Sequence, residues 1–248
     1  MTEKSRAADL GFTAGDLMVV TGAGSGIGRA TARMGAAAGL AVAAWDLDGG
    51  TAEGVAAEVT AAGGTAWWAR VDVTDAEEVA AGFAGLDRPA RYLVNNAGPP
   101  SAVATAFADG LVMGAGSMEL VTRAWMGTEL PEGAAVVNVA SVAGNCIGSS
   151  PDWYAATKAA VTGYTRHLAA WQADRIRANA VAPGMIATPR SAGFADSEPL
   201  MRALARNPVH RMGEPEEIAG PILFLLSPLA TYVNGALLVA DGGWTIAP

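Results

Sequence analysis

Residues 17–28 read LMVVTGAGSGIG, an apolar run that leads directly into a glycine-rich turn. Residues 29–33, RATAR, follow and are compatible with a helix. The glycines stand as G-x-x-x-G-x-G, at Gly22, Gly26 and Gly28, rather than as G-x-G-x-x-G. Glycine permits a tight turn and lets backbone amides approach a pyrophosphate, which then lies on the N-terminus of the next helix. We therefore predict a dinucleotide phosphate site. A P-loop is excluded in this run, because neither Lys-Ser nor Lys-Thr follows the glycines.

Apolar runs of strand length recur along the chain and alternate with longer, alanine-rich stretches of helical type. Strands are predicted over residues 17–20, 41–45, 66–71, 92–94 and 135–139. Several of these runs are apolar at nearly every position, which is typical of parallel strands covered on both faces. The intervening stretches can supply crossover helices. We predict an α/β fold: a Rossmann-type, doubly wound parallel sheet with helices on both faces, in one domain over residues 1–248.

Composition excludes several classes of function. The net charge of −8 argues against a general nucleic-acid binder, which needs a basic surface to neutralise phosphates. No apolar run approaches the ~20 residues of a membrane span, so no membrane partner is expected. Residues 1–14 are expected to form a flexible N-terminal arm, and residues 1–12 contain no apolar stretch of a secretory signal. Cys146 is the only cysteine, which excludes an intrachain disulfide and fits a cytoplasmic location.

A tyrosine and a lysine stand four residues apart, at Tyr154 and Lys158. Apart from Lys4, Lys158 is the only lysine in the chain, and every other cation is an arginine. Residues four apart share a helix face, so the ammonium can lie beneath the phenol. A phenol has an ordinary pKa of about 10, and a neighbouring cation favours the phenolate. Tyr154 is therefore a candidate general acid or base, although such pairs are also common on helices without a function.

The choice of cofactor is predicted from the end of the second strand. An acidic side chain there can bind the adenosine ribose hydroxyls and repel a 2′-phosphate. Asp46 stands at this position, whereas Asp48, beside two glycines, is interpreted as a turn residue. No basic side chain occurs between Gly22 and Gly28 to bind an extra phosphate. NAD is therefore predicted rather than NADP.

These residues together resemble the short-chain dehydrogenase/reductase family in its compact branch, over nearly the whole chain. The family's motifs are matched in order by Thr21, Gly22, Gly26 and Gly28, by Asp72-Val73, by Asn95-Asn96-Ala97-Gly98, by Ser141, by Tyr154 and Lys158, by residues 183–188 (PGMIAT) and by residues 239–243 (VADGG). The resemblance implies contacts with a nicotinamide dinucleotide from Gly22, Ser25, Gly26, Ile27, Asp46, Leu47, Asp72, Val73, Asn96, Ala97, Gly98, Tyr154, Lys158, Pro183, Gly184, Ile186 and Thr188.

The resemblance also implies a mechanism. Tyr154 would exchange the proton of the alcohol, Ser141 would bind the carbonyl or alkoxide oxygen, and Lys158 would hold the nicotinamide ribose and lower the pKa of the phenol. The expected activity is NAD-dependent interconversion of a hydrophobic or aryl secondary alcohol and its ketone. No metal site is expected, since no His, Cys or carboxylate cluster has ligand spacing. The family usually forms tetramers, so a homotetramer or homodimer is expected.

Two alternatives stay open, and one of them rests on a departure from the family. The family usually places an Asn in the helix after the N-N-A-G motif, where it anchors a water of a proton relay. That position falls near Gly114, and no Asn occurs between Asn96 and Asn138. A non-catalytic dinucleotide-binding or sensing protein is therefore one alternative. The other is an NADP-linked ketoreductase of acyl thioesters, although it would favour a basic residue near Ser25 or Asp46.

The substrate pocket is expected to be mainly apolar, which suits a hydrophobic alcohol or ketone. Its wall is predicted in three places: the segment after Ser141, the neighbourhood of Tyr154 and a substrate loop over residues 189–213. The apolar side chains in these stretches are Val142, Cys146, Ile147, Trp153, Met185, Phe194, Leu200 and Met201. The charged ones are Arg190, Asp196 and Glu198.

Overall fold

Seven parallel strands form one sheet in the order β3-β2-β1-β4-β5-β6-β7 in a computed structural model that describes residues 9–191 and 197–247. The strands are β1 (Leu17–Thr21), β2 (Ala41–Asp46), β3 (Thr65–Arg70), β4 (Ala90–Asn95), β5 (Ala135–Val139), β6 (Arg177–Pro183) and β7 (Leu237–Ala240). The predicted fold class is confirmed.

Helices cover both faces of the sheet. They are α1 (Gly26–Ala37), α2 (Gly49–Ala61), α3 (Ala76–Ala84), α4 (Phe107–Leu111), α5 (Ser117–Met126), α6 (Asp152–Trp171), α7 (Glu198–Arg206) and α8 (Pro215–Leu226). A π-helical turn, Val112–Gly116, joins α4 to α5. Helices α1, α2 and α8 pack on one face, and α3, α5 and α6 pack on the other.

Strand β1 explains why a continuous apolar run becomes a central strand. All five of its residues are buried, and successive side chains enter opposite cores: Met18 and Val20 on one face, Leu17 and Val19 on the other. The edge strand β3 differs from this pattern. It starts and ends one residue earlier than predicted. Among the described residues no further strand continues the sheet beyond β3, and Trp68 is 46% exposed there.

The strand order reverses between β1 and β4, which lie side by side although β2 and β3 intervene in the chain. In open α/β sheets, ligands bind beyond the carboxyl ends of the strands at such a point. The glycine turn follows β1 directly and therefore lies at this edge.

The described part of the predicted N-terminal arm differs from the expectation. Leu10 and Phe12 pack against the core, and the Phe12 ring meets the buried Tyr92 ring edge-on with centroids 5.3 Å apart. Residues 9–14 are therefore attached to the body of the protein. Residues 1–8, and with them the beginning of the arm, lie outside the described residues. Among the helices described, none has the length and apolarity needed to cross a membrane.

Candidate active site

The glycine turn is fastened to the end of β4. Gly22 and Gly26 have φ values of +63° and +51°, in the left-handed region that favours glycine. The Asn96 side chain donates from Nδ2 to the carbonyl oxygens of Thr21 (3.1 Å) and Gly22 (3.0 Å). A Cβ on Gly22 would lie 2.9 Å from that Nδ2 atom, so a side chain there would disrupt the attachment. The first and fourth strands thus fix the turn together.

The turn has the properties of a phosphate site. Helix α1 begins at Gly26, and among the described residues no side chain caps its first amides and no acidic residue occupies its first turn. Backbone N–H groups at a helix N-terminus lack partners within the helix and favour an anion. The residues present therefore fit the pyrophosphate of a dinucleotide.

The Asp46 carboxylate is oriented by the backbone around it. Its Oδ2 accepts a hydrogen bond from Gly24 N at 2.8 Å, and its Oδ1 accepts one from Asp48 N at 3.1 Å. These contacts place the carboxylate at the end of β2, beside the glycine turn. Asp48 instead caps α2, because its Oδ1 accepts from the amides of Gly50 (2.9 Å) and Thr51 (3.3 Å).

Ser141, Tyr154 and Lys158 line one cleft at the carboxyl edge of the sheet. Ser141 follows β5, while Tyr154 and Lys158 lie one turn apart in α6. Lys158 donates from Nζ to Val139 O at 2.8 Å, and the same Nζ lies 5.8 Å from the centroid of the Tyr154 ring. The hydroxyl of Ser141 accepts a hydrogen bond from Ala143 N at 3.1 Å. A strand end and a helix thus bring the three predicted groups together.

The environment shifts the proton affinities of two of these groups. Burial raises the pKa of the Tyr154 phenol, and the neighbouring Ser141 hydroxyl and the positive charge of Arg190 oppose that rise. Burial, and then the charge of Arg190, lower the pKa of Lys158 to about 8. The Lys158 ammonium donates to Val139 O, and its Nζ lies 5.8 Å from the centroid of the Tyr154 ring. Its effect on the pKa of the phenol stays a prediction.

Asn145 joins the segment after β5 to helix α6. Its Nδ2 donates to Ser141 O at 2.9 Å and to Lys158 O at 3.0 Å. The preceding residue, Gly144, has φ of +75°, and a Cβ there would overlap the carbonyl of Ala155 in α6. This close approach lets Asn145 reach both carbonyls. Sequence reasoning missed Asn145, although a Gly-Asn pair shortly after the predicted Ser141 is a recognisable turn signal.

The position that aligns near the family's usual Asn is tightly enclosed. Gly114 is buried in the π-helical turn, and a Cβ on it would overlap Cγ2 of Thr157 in α6. Thr157 is itself fixed, since its Oγ1 donates to Gly110 O at 3.2 Å. A small cavity of about 20 Å³ lies between Gly114 and Lys158, with Tyr154 in its wall. This volume accommodates about one water molecule.

The main cleft has a volume of about 270 Å³. Most of the residues predicted to bind cofactor or substrate oxygen line it: Gly22, Ser25, Gly26, Ile27, Asn96, Ser141, Tyr154, Lys158, Pro183, Gly184, Ile186 and Thr188. Ala97 and Gly98 line the small cavity instead. Asp46, Leu47, Asp72 and Val73 follow or end β2 and β3 at the same edge of the sheet, outside the lining of both.

The Asp72 carboxylate accepts hydrogen bonds within its own turn. Its Oδ1 accepts from Thr74 N at 2.9 Å and from Thr74 Oγ1 at 2.7 Å, and these hydrogen bonds lower the pKa of its carboxyl.

Among the described residues, no group of three or more His, Cys, Asp and Glu side chains could hold a metal ion.

The substrate wall is only partly as predicted. Met185 and Arg190 line the main cleft, and Trp153 lines the small cavity. Val142 and Leu200 are buried, whereas Cys146 and Met201 are exposed. Phe194 and Asp196 lie outside the described residues. Lining residues that sequence reasoning did not single out are Pro100, Ser101 and Ala102 in the loop after β4, together with Ser191 and Met212.

The parallel sheet with its glycine turn defines a dinucleotide-binding protein of the Rossmann type. A family model described as enoyl-(acyl carrier protein) reductase matches residues 22–245. The chain belongs to the short-chain dehydrogenase/reductase family. Its relatives include alcohol dehydrogenases, such as a cyclohexanol dehydrogenase from Acinetobacter that is 34% identical over 92% of this chain. The chain is therefore an oxidoreductase of the alcohol/ketone type, with a fold that binds a nicotinamide dinucleotide.

Three known proteins illustrate the similarity. A cis-4-hydroxycyclohexanecarboxylate dehydrogenase from Sinomonas cyclohexanicum is 40% identical over 92% of this chain and 95% of its own length. A 7α-hydroxysteroid dehydrogenase, solved with NADH and 7-oxo glycochenodeoxycholic acid, has a TM-score of 0.86 and 30% identity over 95% of this chain and 96% of that one. An actinorhodin polyketide ketoreductase with NADPH has a TM-score of 0.85 and 29% identity over 93% and 97%.

Proposed function

We propose that this protein is an NAD-dependent dehydrogenase that interconverts a hydrophobic secondary alcohol and its ketone, with Tyr154 as the acid and base. The observation that carries the proposal is the single cleft shared by Ser141, Tyr154, Lys158 and the glycine turn. This arrangement sets an ionisable phenol and an oxygen-binding hydroxyl beside a dinucleotide site. The cleft also lies at the switch point of the sheet, where such ligands bind.

Each polar group has a distinct task in the proposed reaction. The nicotinamide, when bound, accepts or returns the hydride. Tyr154 takes the hydroxyl proton of the alcohol, and Ser141 donates a hydrogen bond to the oxygen as negative charge develops on it. Lys158 holds a positive charge behind the phenol and binds the nicotinamide ribose. Because burial raises the pKa of Tyr154, oxidation of the alcohol is expected to be faster at alkaline pH.

The proposed cofactor contacts are those predicted from the sequence, with Asp46 selecting NAD. Its oriented carboxylate can accept hydrogen bonds from ribose hydroxyls and repel a 2′-phosphate. Asp46→Ala is expected to raise kcat/KM for NADP relative to NAD. Asp48→Ala removes the same charge two residues away and is the matched control, with the ratio expected unchanged. A lower NADP to NAD ratio in Asp46→Ala would contradict the assignment and favour the NADP-linked alternative.

Ring alcohols are the proposed substrates. Two of the similar proteins are named for substrates with a cyclohexane ring and with a steroid skeleton. The apolar part of the cleft, with Ile186, Met185 and Met212, suits such a ring. Cyclohexanol and substituted cyclohexanols are therefore the first compounds to test.

The deciding experiment follows NADH formation by absorbance with purified protein, NAD and these alcohols at mildly alkaline pH. Turnover is expected, and Tyr154→Phe is expected to abolish it while NADH still binds. Tyr164→Phe removes a phenol from the same helix and serves as the control, with turnover retained. Turnover that persists in Tyr154→Phe would overturn the role of Tyr154. Binding of NADH without turnover on any alcohol would favour the non-catalytic alternative.

We propose a homotetramer as the assembly. Large apolar side chains near the end of the chain are exposed, among them Tyr232, Leu238 and Val239, and Trp171 at the end of α6 is exposed as well. Sedimentation that shows only a 25.0 kDa species would contradict this proposal. The cytoplasmic location stays a prediction.

A further inference from the structure

A second cation, Arg190, lies at the junction of the main cleft and the small cavity, and it lines both. The phenol of Tyr154 and the ammonium of Lys158 line the same two spaces. The guanidinium lowers the pKa of the phenol, but it neither gives nor takes the proton in the proposed reaction. It is therefore free to bind a charged group of the ligand.

The turn that carries Arg190 is well anchored. The hydroxyl of Ser191 accepts a hydrogen bond from Thr188 N at 2.9 Å and lies 3.0 Å from Ile186 O, to which it can donate. Backbone bonds from Ala187 N to Gly213 O and from Gly213 N to Met185 O, at 2.8 and 2.9 Å, join this turn to the segment before α8. Arg190 is therefore attached to a fixed support, although its own side chain is exposed.

The charged side chains that line the two spaces are all basic among the described residues. Arg190 and Lys158 are the basic side chains that line the two spaces, and within residues 9–191 and 197–247 neither lining contains an Asp or Glu. The positive charge of Arg190 acts on both neighbours, lowering the pKa of Tyr154 and that of Lys158. The whole chain, by contrast, has a net charge of −8. A positive site in an acidic protein attracts a small anion and disfavours a cationic ligand.

We propose that Arg190 binds a carboxylate of the substrate, so that the substrate class is a ring alcohol that also carries a carboxylate. The planar guanidinium can donate two parallel hydrogen bonds to a carboxylate, which orients the ligand as well as attracting it. This inference rests on the proposed function. It assigns Arg190 as a specificity-determining residue, distinct from the groups that exchange the proton.

The test uses two substrates of almost equal shape, cis-4-hydroxycyclohexanecarboxylate and its primary amide, with wild-type protein and NAD. Wild-type kcat/KM is expected to be about 10- to 100-fold higher for the carboxylate, the range of a charge-assisted pair. Arg190→Met is expected to remove this preference, and Arg190→Lys to keep part of it. Arg33→Met removes the same charge from α1 and is the control, with the preference unchanged.

Equal use of the acid and the amide by wild type would overturn the inference, as would a preference that survives in Arg190→Met. Equal losses on both substrates, with a raised KM for NAD, would place Arg190 on the cofactor instead and also overturn it. If no alcohol is oxidised at all, the proposed function fails separately. Calorimetry with cyclohexanecarboxylate and cyclohexanecarboxamide then still tests whether Arg190 binds a carboxylate. Only the binding of the acid is expected to weaken in Arg190→Met.

Discussion

Gly114→Ala is expected to destabilise the protein although alanine is the better helix former. The added Cβ would overlap Cγ2 of Thr157, which is buried and hydrogen-bonded to Gly110. Overpacking of this kind costs about 1–3 kcal/mol. The gain of alanine over glycine within a helix offsets about 0.5–1 kcal/mol of it. From the middle of both ranges, the net loss in the free energy of unfolding is about 1 kcal/mol.

Thr157→Ser supplies the complementary change. It removes Cγ2 but keeps the Oγ1 hydrogen bond, and alone it costs about 1 kcal/mol for a buried methyl group. In the double variant the atoms nearest the new Cβ are Cβ and Oγ1 of residue 157, at 3.4 and 3.5 Å, which are ordinary contacts. The new methyl group occupies the vacated space. The double variant is expected within about 0.5 kcal/mol of wild type, with an interaction energy of about 2 kcal/mol.

Urea unfolding of the four proteins at equal protein concentration measures this cycle. Gly116→Ala is the control: it lies in the same π-helical turn, but its Cβ would meet nothing closer than 3.6 Å. Its stability is expected to equal or exceed that of wild type. If the effects of Gly114→Ala and Thr157→Ser simply add, the enclosure of residue 114 by Thr157 is not what excludes a side chain there.

Three further predictions concern the catalytic segments. Asn145→Ala is expected to cost about 1–3 kcal/mol of stability, because the carbonyl oxygens of Ser141 and Lys158 each lose a side-chain donor. It is also expected to lower kcat more than it changes KM. An unchanged kcat would contradict this prediction. Asn145→Asp is expected to be worse than Asn145→Ala, since a carboxylate would face two carbonyl oxygens, and a milder effect in the same assays would count against the contact. The pKa of Lys158 is about 8, below its unfolded value, so between about pH 8 and pH 10 the unfolded chain binds more protons and stability rises with pH. Urea unfolding at about pH 7.5 and 9.5 should therefore show wild type gaining relative to Lys158→Met, and a falling difference would refute the shift.

Much of the fold follows from the sequence because buried parallel strands have a strong apolar signal. β1, β2 and β5 lie close to their predicted limits, and the glycine turn is positioned by the strand before it. The trio of Ser141, Tyr154 and Lys158 could be predicted as a candidate site because its spacing repeats a family pattern, and the three side chains line one cleft.

The contacts around that trio could not be found in the same way. Asn145 acts through a turn that depends on how closely Gly144 approaches α6. The burial of Leu200 and the exposure of Cys146 depend on tertiary packing, which cannot be predicted from the local sequence. The direction of the Lys158 ammonium, toward Val139 O, is likewise set by the strand beneath it rather than by its neighbours in sequence.

The link that Asn145 makes between Ser141 and Lys158 has a consequence for protein engineering. Asn145 links the main chains at Ser141 and Lys158, while the turn with Arg190 is attached through the separate pairing of Ile186 with Gly213. The two attachments share no hydrogen bond. Natural variation can therefore change the side chain at position 190 to select another molecule, while the hydrogen bonds that hold Ser141 and Lys158 together stay in place.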